Sequence, residues 1–180
     1  MRTFLALPVP ESWITPLARV QAHLRGGRKV DLDDLHLTLA FLDDQPEDRL
    51  QALHEELEAR ALFPAELMPT AYGVIGGGKP RAVVLDIAPT PALTALRENV
   101  RRAVRAAGID LPRERFRPHV TLARYPASAP GDDRLPERLA RLGPPEMVPD
   151  MAGPVTLWSS VLTPQGPIYE VLSAYPGVPA

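Results

Sequence analysis

The chain has 180 residues and no cysteine, and its 20 Lys plus Arg against 22 Asp plus Glu leave a formal charge of -2. Apolar residues at 45% supply a packed core, which excludes a disordered chain and a disulfide-stapled mini-domain. The near balance of charge excludes a general nucleic-acid coating protein. No apolar run approaches the ~20 residues of a bilayer span, and the opening run Phe4 to Pro8 is too short for a signal peptide, so a cytoplasmic location without a membrane partner is expected.

Frequent proline and glycine divide the chain into short elements. Phe4 to Val9 reads as an opening strand. Ser12 to Leu24 fits a helix, with Ile14, Leu17, Val20 and Leu24 at helical spacing and Gly26-Gly27 as its stop. Leu35 to Leu42 alternates as a strand. Glu47 to Leu62 is a helix with a stripe of Leu50, Leu53, Leu57 and Ala61. Strands at Ala71 to Ile75 and Ala82 to Ile87 follow, joined by a glycine-rich turn, and a helix runs from Pro91 to Ala107 with Gly108 ending it. Arg117 to Tyr125 is strand-like, Leu135 to Leu142 a short helix, and Val155 to Leu162 with Ile168 to Ala174 a closing pair of strands. The order predicts an α+β fold, and no Ser/Gly linker divides it, so one domain over 1–180 is expected.

Charge is unevenly spread. Asp31 to Asp48 carries seven acids and no base, while Arg97 to Arg124 carries eight arginines against Glu98, Asp110 and Glu114. The run Arg97 to Arg105 reads as a solvated helix face, with a local positive field for a phosphate-bearing ligand as the functional alternative.

Four histidines occur, and two share one context: Leu35-His36-Leu37-Thr38-Leu39-Ala40 and Pro118-His119-Val120-Thr121-Leu122-Ala123. From this chain's own Thr and Leu usage, two such matches among four arise by chance on the order of a few times in ten thousand. The copies lie 83 positions apart, which predicts two related halves about a pseudo-twofold axis. On a strand, i and i+2 share a face. His36 and Thr38 therefore point one way and Leu35, Leu37, Leu39 and Phe41 into a core; His119 and Thr121 repeat the pattern, with Val120 and Leu122 inward. Side by side, the two strands would gather two imidazoles and two hydroxyls around a phosphate-sized space. The threonines would donate to its oxygens, and the imidazoles would serve as base and acid. Which imidazole is the base does not follow from spacing.

Other signals are weaker. Asp43 and Asp44 follow the first motif and could ligate a metal, but Tyr125-Pro126 stands there in the second copy, so no metal and no cofactor is expected. His23 and His54 read as solvated or capping residues. Gly73 to Lys79 fits most of a phosphate-binding P-loop, but Pro80 stands where Ser or Thr is needed and a strand follows, so a hairpin turn is expected. By alternation Arg124 points away from the His-Thr face unless the strand bends, serving as a cross-strand ion pair or at the pocket rim.

These residues resemble the two-histidine phosphoesterases, within them the bacterial RNA 2′,3′-cyclic phosphodiesterases once described as 2′-5′ RNA ligases. The likeness runs through Arg2 to Leu7, the first motif with Phe41-Leu42, Phe116 to Arg124, and Ser160 to Leu172. Lys29 stands where that family usually has Trp, and Asp43 where Gly is common. The resemblance implies a two-lobed fold with duplicated antiparallel sheets, flanking helices and a central cleft. It also implies metal-independent hydrolysis of an RNA terminal 2′,3′-cyclic phosphate to a 2′-phosphate. By analogy His119 is the proton acceptor, His36 the proton donor, Thr38 and Thr121 hold the phosphate oxygens, and Arg124 binds substrate at the rim. RNA ends or cyclic nucleotides would be substrates of a monomer. The alternatives are a cyclic phosphodiesterase for a small nucleotide such as ADP-ribose cyclic phosphate, 2′-5′ joining of RNA ends, and a non-catalytic nucleotide- or RNA-binding module.

Overall fold

The alternation that marks the strands is built into one antiparallel sheet in the computed structural model, which describes residues 1–129 and 132–176. Its strands are β1 (Arg2–Pro8), β2 (Arg28–Lys29), β3 (His36–Asp44), β5 (Pro69–Ile75), β6 (Ala82–Ile87), β7 (His119–Arg124), β9 (Val155–Thr163) and β10 (Gly166–Tyr175). The order across the sheet is β10-β9-β1-β3-β7-β6-β5, with β2 paired alongside β7. The two-residue strands β4 (Glu66–Leu67) and β8 (Asp150–Met151) pair separately. Four helices complete the fold: α1 (Ile14–His23), α2 (Glu47–Glu58), α3 (Pro91–Ala106) and α4 (Leu135–Leu142).

The expected duplication is visible in how the helices cross over. Helix α1 leaves the first half and packs on β7 of the second, while α3 leaves the second half and packs on β3 of the first; α2 lies against α3, and α4 against β5. The halves meet at β3 and β7, which share a single bridge at Leu37 and Val120. Leu37, Leu39, Val120 and Leu122 are buried with Leu53, Leu57, Leu93 and Val100 from the helices, so the core lies on the helix side of the sheet. The opposite face is left for the His-x-Thr side chains.

Helix ends follow their local chemistry. Thr90 accepts from the Leu93 N–H at 3.3 Å ahead of Pro91, and Gly108 at φ 78 closes the far end of α3. The P-loop-like run is the β5–β6 turn, with Gly76 and Gly77 at positive φ and a strand after it.

The arginine run of α3 is not the solvated face that its charge predicts. Arg97 and Arg101 are buried, while Arg102 and Arg105 are exposed. The Arg97 guanidinium lies 4.4 Å from the Phe116 ring centre, and Arg101 donates to the Pro112 carbonyl at 2.6 Å. Both side chains therefore clamp the irregular segment leading into β7, their stems packed and their charged heads matched to an aromatic face and a carbonyl. Arg97→Ala is expected to destabilise the protein by about 2 kcal/mol, lowering Tm by roughly 4–8 °C in a thermal melt. Its turnover should fall too, because that segment carries the group that orients His119.

Asp43 adopts φ 55, a left-handed conformation that an aspartate reaches only with strain and a glycine reaches freely. That explains why glycine is common there in the resembled family. Asp43→Gly is expected to raise stability by about 0.5–1 kcal/mol in denaturant titration.

Candidate active site

The site grows from two bulged strands. About the Leu37–Val120 bridge the antiparallel register sets His36 against Thr121 and Thr38 against His119 on one face. Each imidazole is tethered in the same manner. His36 Nδ1 lies 2.6 Å from the Asp34 carbonyl and His119 Nδ1 lies 2.7 Å from the Arg117 carbonyl, each two residues back. A carbonyl can only accept, so Nδ1 carries the hydrogen in both rings and Nε2 is left with the lone pair.

Beyond each threonine the ladder skips one residue. Ala6 pairs Thr38 and Leu5 pairs Ala40, leaving Leu39 as a bulge; Val84 pairs Thr121 and Val83 pairs Ala123, leaving Leu122 as a bulge. An extra residue reverses the alternation after it. Phe41, expected in the core, is instead 59% exposed on the side of His36, directly across the ladder from Phe4. Arg124, expected to point away, likewise turns to the side of His119 and Thr121. Phe41 and Arg124 occupy equivalent places in the two copies.

The two histidines differ in surroundings. Phe4, Trp158 and Tyr169 form an aromatic cluster against His36, with ring centres 5.0, 5.5 and 5.7 Å from the imidazole. This cluster arises because Phe4 pairs Trp158 across β1 and β9 on the cleft face. Burial there pushes His36 down to about 4, and the charges of Arg124 and His119 act in the same direction, while the Asp34 carbonyl opposes it. His119 stands at the more open edge. Opposite it on β6 is Asp86, whose carboxylate takes a two-pronged ion pair from Arg117, Nε to Oδ1 at 3.1 Å and Nη2 to Oδ2 at 3.3 Å. Gly73 leaves room for that pair, since a Cβ there would come within 2.7 Å of the Asp86 carboxylate. The pair holds the residue whose carbonyl orients His119.

Sequence reasoning finds both histidines and both threonines but misses the aromatic cluster and Asp86–Arg117. Their partners lie on strands distant in sequence, and only the Phe4 and Trp158 residue types hinted at the first. His54, expected to be solvated or capping, is half-buried and hydrogen-bonded through Nδ1 to the Tyr175 hydroxyl at 2.7 Å. His23 lies exposed at the end of α1, beside a cavity of about 610 Å³ between α1 and α4. None of the His-x-Thr residues lines that cavity, which sits on the helix side of the second half, so the cleft and not that hollow carries the convergent chemistry.

A sequence model described as the 2′-5′ RNA ligase superfamily matches residues 8–151. The chain belongs to that superfamily. It is 37% identical to an RNA 2′,3′-cyclic phosphodiesterase of Thermus thermophilus, over 97% of this chain and 89% of the relative. It is 31% identical to one of Thermotoga maritima, over 96% of this chain and 93% of the relative. Among solved structures, TT0787 of Thermus thermophilus superposes with a TM-score of 0.77 at 29% identity, covering 96% of each chain. No helix among the described residues is long and apolar enough to cross a membrane.

Proposed function

We propose that this chain is an RNA 2′,3′-cyclic phosphodiesterase that opens a terminal cyclic phosphate to a 2′-phosphomonoester without a metal, as one two-lobed domain acting as a cytoplasmic monomer. The observation that carries the reading is the pair of identically tethered imidazoles on adjacent strands, each with its threonine on the same face. His119 Nε2 takes the proton of the attacking water. The new P–O bond forms as the P–O3′ bond breaks, and His36 Nε2 gives its proton to the leaving 3′ oxygen. Thr38 and Thr121 donate to the non-bridging oxygens, where charge grows in the transition state. Relief of strain in the five-membered ring lowers the demand on these groups.

His36 must hold a proton to act as acid, although burial keeps it neutral in the free protein near pH 7. The phosphate anion seated between the rings supplies the opposite charge that draws the proton onto Nε2. On this account Thr38→Ala and Thr121→Ala each lower kcat by roughly 10²-fold with smaller changes in KM, read by steady-state kinetics on a cyclic nucleotide.

The test is product analysis on 2′,3′-cyclic AMP and on an oligonucleotide ending in a cyclic phosphate, with EDTA present. A 2′-phosphate from both supports the reading. A 3′-phosphate, a joined 2′-5′ product, or loss of turnover with the chelator would reject it.

A further inference from the structure

The cavity of about 610 Å³ between α1 and α4 has a lining whose charge the fold leaves unmatched. Arg19 and His23 stand one turn apart on α1, with Arg25 just beyond its end, and Arg134, Arg138 and Arg141 run down the side of α4 that faces them across the hollow. Glu137 and Glu146 are the acids on the same lining. Like charges three and four residues apart weaken a helix, and here one basic stripe looks at another. Arg19 reaches Glu146 at 3.9 Å with both side chains largely in solvent, and Arg138 is paired with Asp132. Among the described residues Arg25, Arg134 and Arg141 have no carboxylate partner.

Beneath the cations the surface is apolar. Leu24, Leu139, Leu142 and Met147 form the floor, and the half-buried Tyr72 ring reaches it from β5. Burial and the charge of Glu146 push the Tyr72 phenol up, so its hydroxyl keeps a proton to donate. The volume falls among those of small-molecule sites, roughly 300–1,000 Å³.

A cationic rim over an apolar floor selects an anion that also carries an apolar group. The number of unmatched arginines calls for more than one negative charge. Arg134 and Arg141 stand seven residues apart, about 10 Å along α4, so a chain of phosphates meets each guanidinium where it is, whereas a single phosphate would have to draw the like charges together. An RNA strand fits less well: the hollow lies across the sheet from the histidines, and a chain ending at them would have to pass round the sheet edge to reach it. We propose that this cavity is a second ligand site, taking a small organic polyphosphate of the nucleoside di- or triphosphate kind, with its phosphates between the two basic stripes and its ring on the floor beside Tyr72. The site is separate from the cleft, so it stands or falls independently of the phosphodiesterase reading.

Calorimetric titration in EDTA tests it, with adenosine 5′-triphosphate as the probe and the cleft first saturated with adenosine 2′-monophosphate. The wild-type chain should bind one equivalent of the triphosphate, with a Kd that the monophosphate changes by less than about threefold. Inorganic triphosphate should bind the same site about threefold or more weakly, lacking the ring. Arg134→Gln with Arg141→Gln exchanges two exposed arginines for another good helix former, so a thermal melt should show the fold intact. That variant should weaken both probes about tenfold or more, while Arg102→Gln with Arg105→Gln, the same loss of charge on the exposed side of α3, should change them less than about twofold. Absence of binding once the cleft is filled, or equal losses in the two variants, would overturn the proposal. So would a five-residue oligoadenylate without terminal phosphates that binds more tightly than the triphosphate through Arg134 and Arg141, since the hollow would then be a surface for an RNA strand.

Discussion

His36→Ala and His119→Ala should each lower kcat on a 2′,3′-cyclic phosphate by roughly 10²–10⁴-fold, the range that a positioned acid or base contributes. The double variant should be no more than about tenfold worse than the weaker single one, because the two imidazoles act on one phosphorus as a unit and their losses do not add. Single-turnover kinetics with circular dichroism as a check on folding would measure this. The two variants should part in their response to leaving group. A substrate whose leaving oxygen needs no proton, such as an activated aryl phosphodiester, should recover much of the His36→Ala loss and little of the His119→Ala loss. The reverse pattern would exchange the two roles while keeping the pair.

The second large effect concerns stability. His36 is tethered and enclosed by Phe4, Trp158 and Tyr169, and burial lowers its pKa from the ordinary 6.5 to about 4. Between those values the unfolded chain binds a proton that the folded chain does not. The favourable contribution of the neutral buried ring is therefore complete above pH 6.5 and is lost as pH falls towards 4, on the order of 3 kcal/mol in all. Urea titrations at pH 7.5 and 4.5 should show a drop of about that size beyond the drop in His36→Gln, which has no proton to gain. A wild type and variant that lose stability in parallel would mean the ring is not desolvated. The same ring sets a kinetic marker: the lower limb of the kcat/KM profile should fall near pH 4 whichever imidazole is the base, since that limb belongs to the free protein's pair.

How far the residues alone carry the fold depends on which physical signal each element leaves. The helix Leu135–Leu142 and the strand Ala82–Ile87 match their expected bounds, because a leucine repeat and a Val-rich run declare themselves locally. The paired His-x-Thr motif gives the central strands and their shared face. Alternation then fails at Leu39 and Leu122, where each copy carries a bulge that no local pattern marks. Two misreadings follow from this one cause: Phe41 placed in the core and Arg124 turned away from the cleft. The strand β2 leaves no signal either, since two residues cannot show a period and its pairing depends on β7. The charge of Arg97 and Arg101 masks their burial, because a guanidinium can be buried when an aromatic face and a carbonyl await it. That partnership is tertiary, made with a segment 11 residues past Arg101 in the case of Pro112.

The bulges matter for function as well as for the reading. Without the extra residue, Arg124 would lie on the helix side, and the second half would present only His119 and Thr121 to a ligand. With it, the strand brings a cation beside Arg28 and places a fixed charge near His36. In the first half the same device turns out an aromatic ring, Phe41, and not a charge. The duplicated scaffold is thus differentiated into an apolar side that desolvates one imidazole and a cationic side that keeps the other near solvent, a division suited to giving two like groups opposite tasks.

The central claim is that His36 and His119 share one phosphate. Nitrogen-15 spectra of the histidine-labelled protein, followed during titration with adenosine 2′-monophosphate at pH 6, test it most directly. The account predicts that Nε2 of both rings shifts along a single binding curve with one Kd, and that His36 moves from the neutral towards the protonated position as the anion is seated. A response confined to one ring, or two curves with different Kd values, would contradict it.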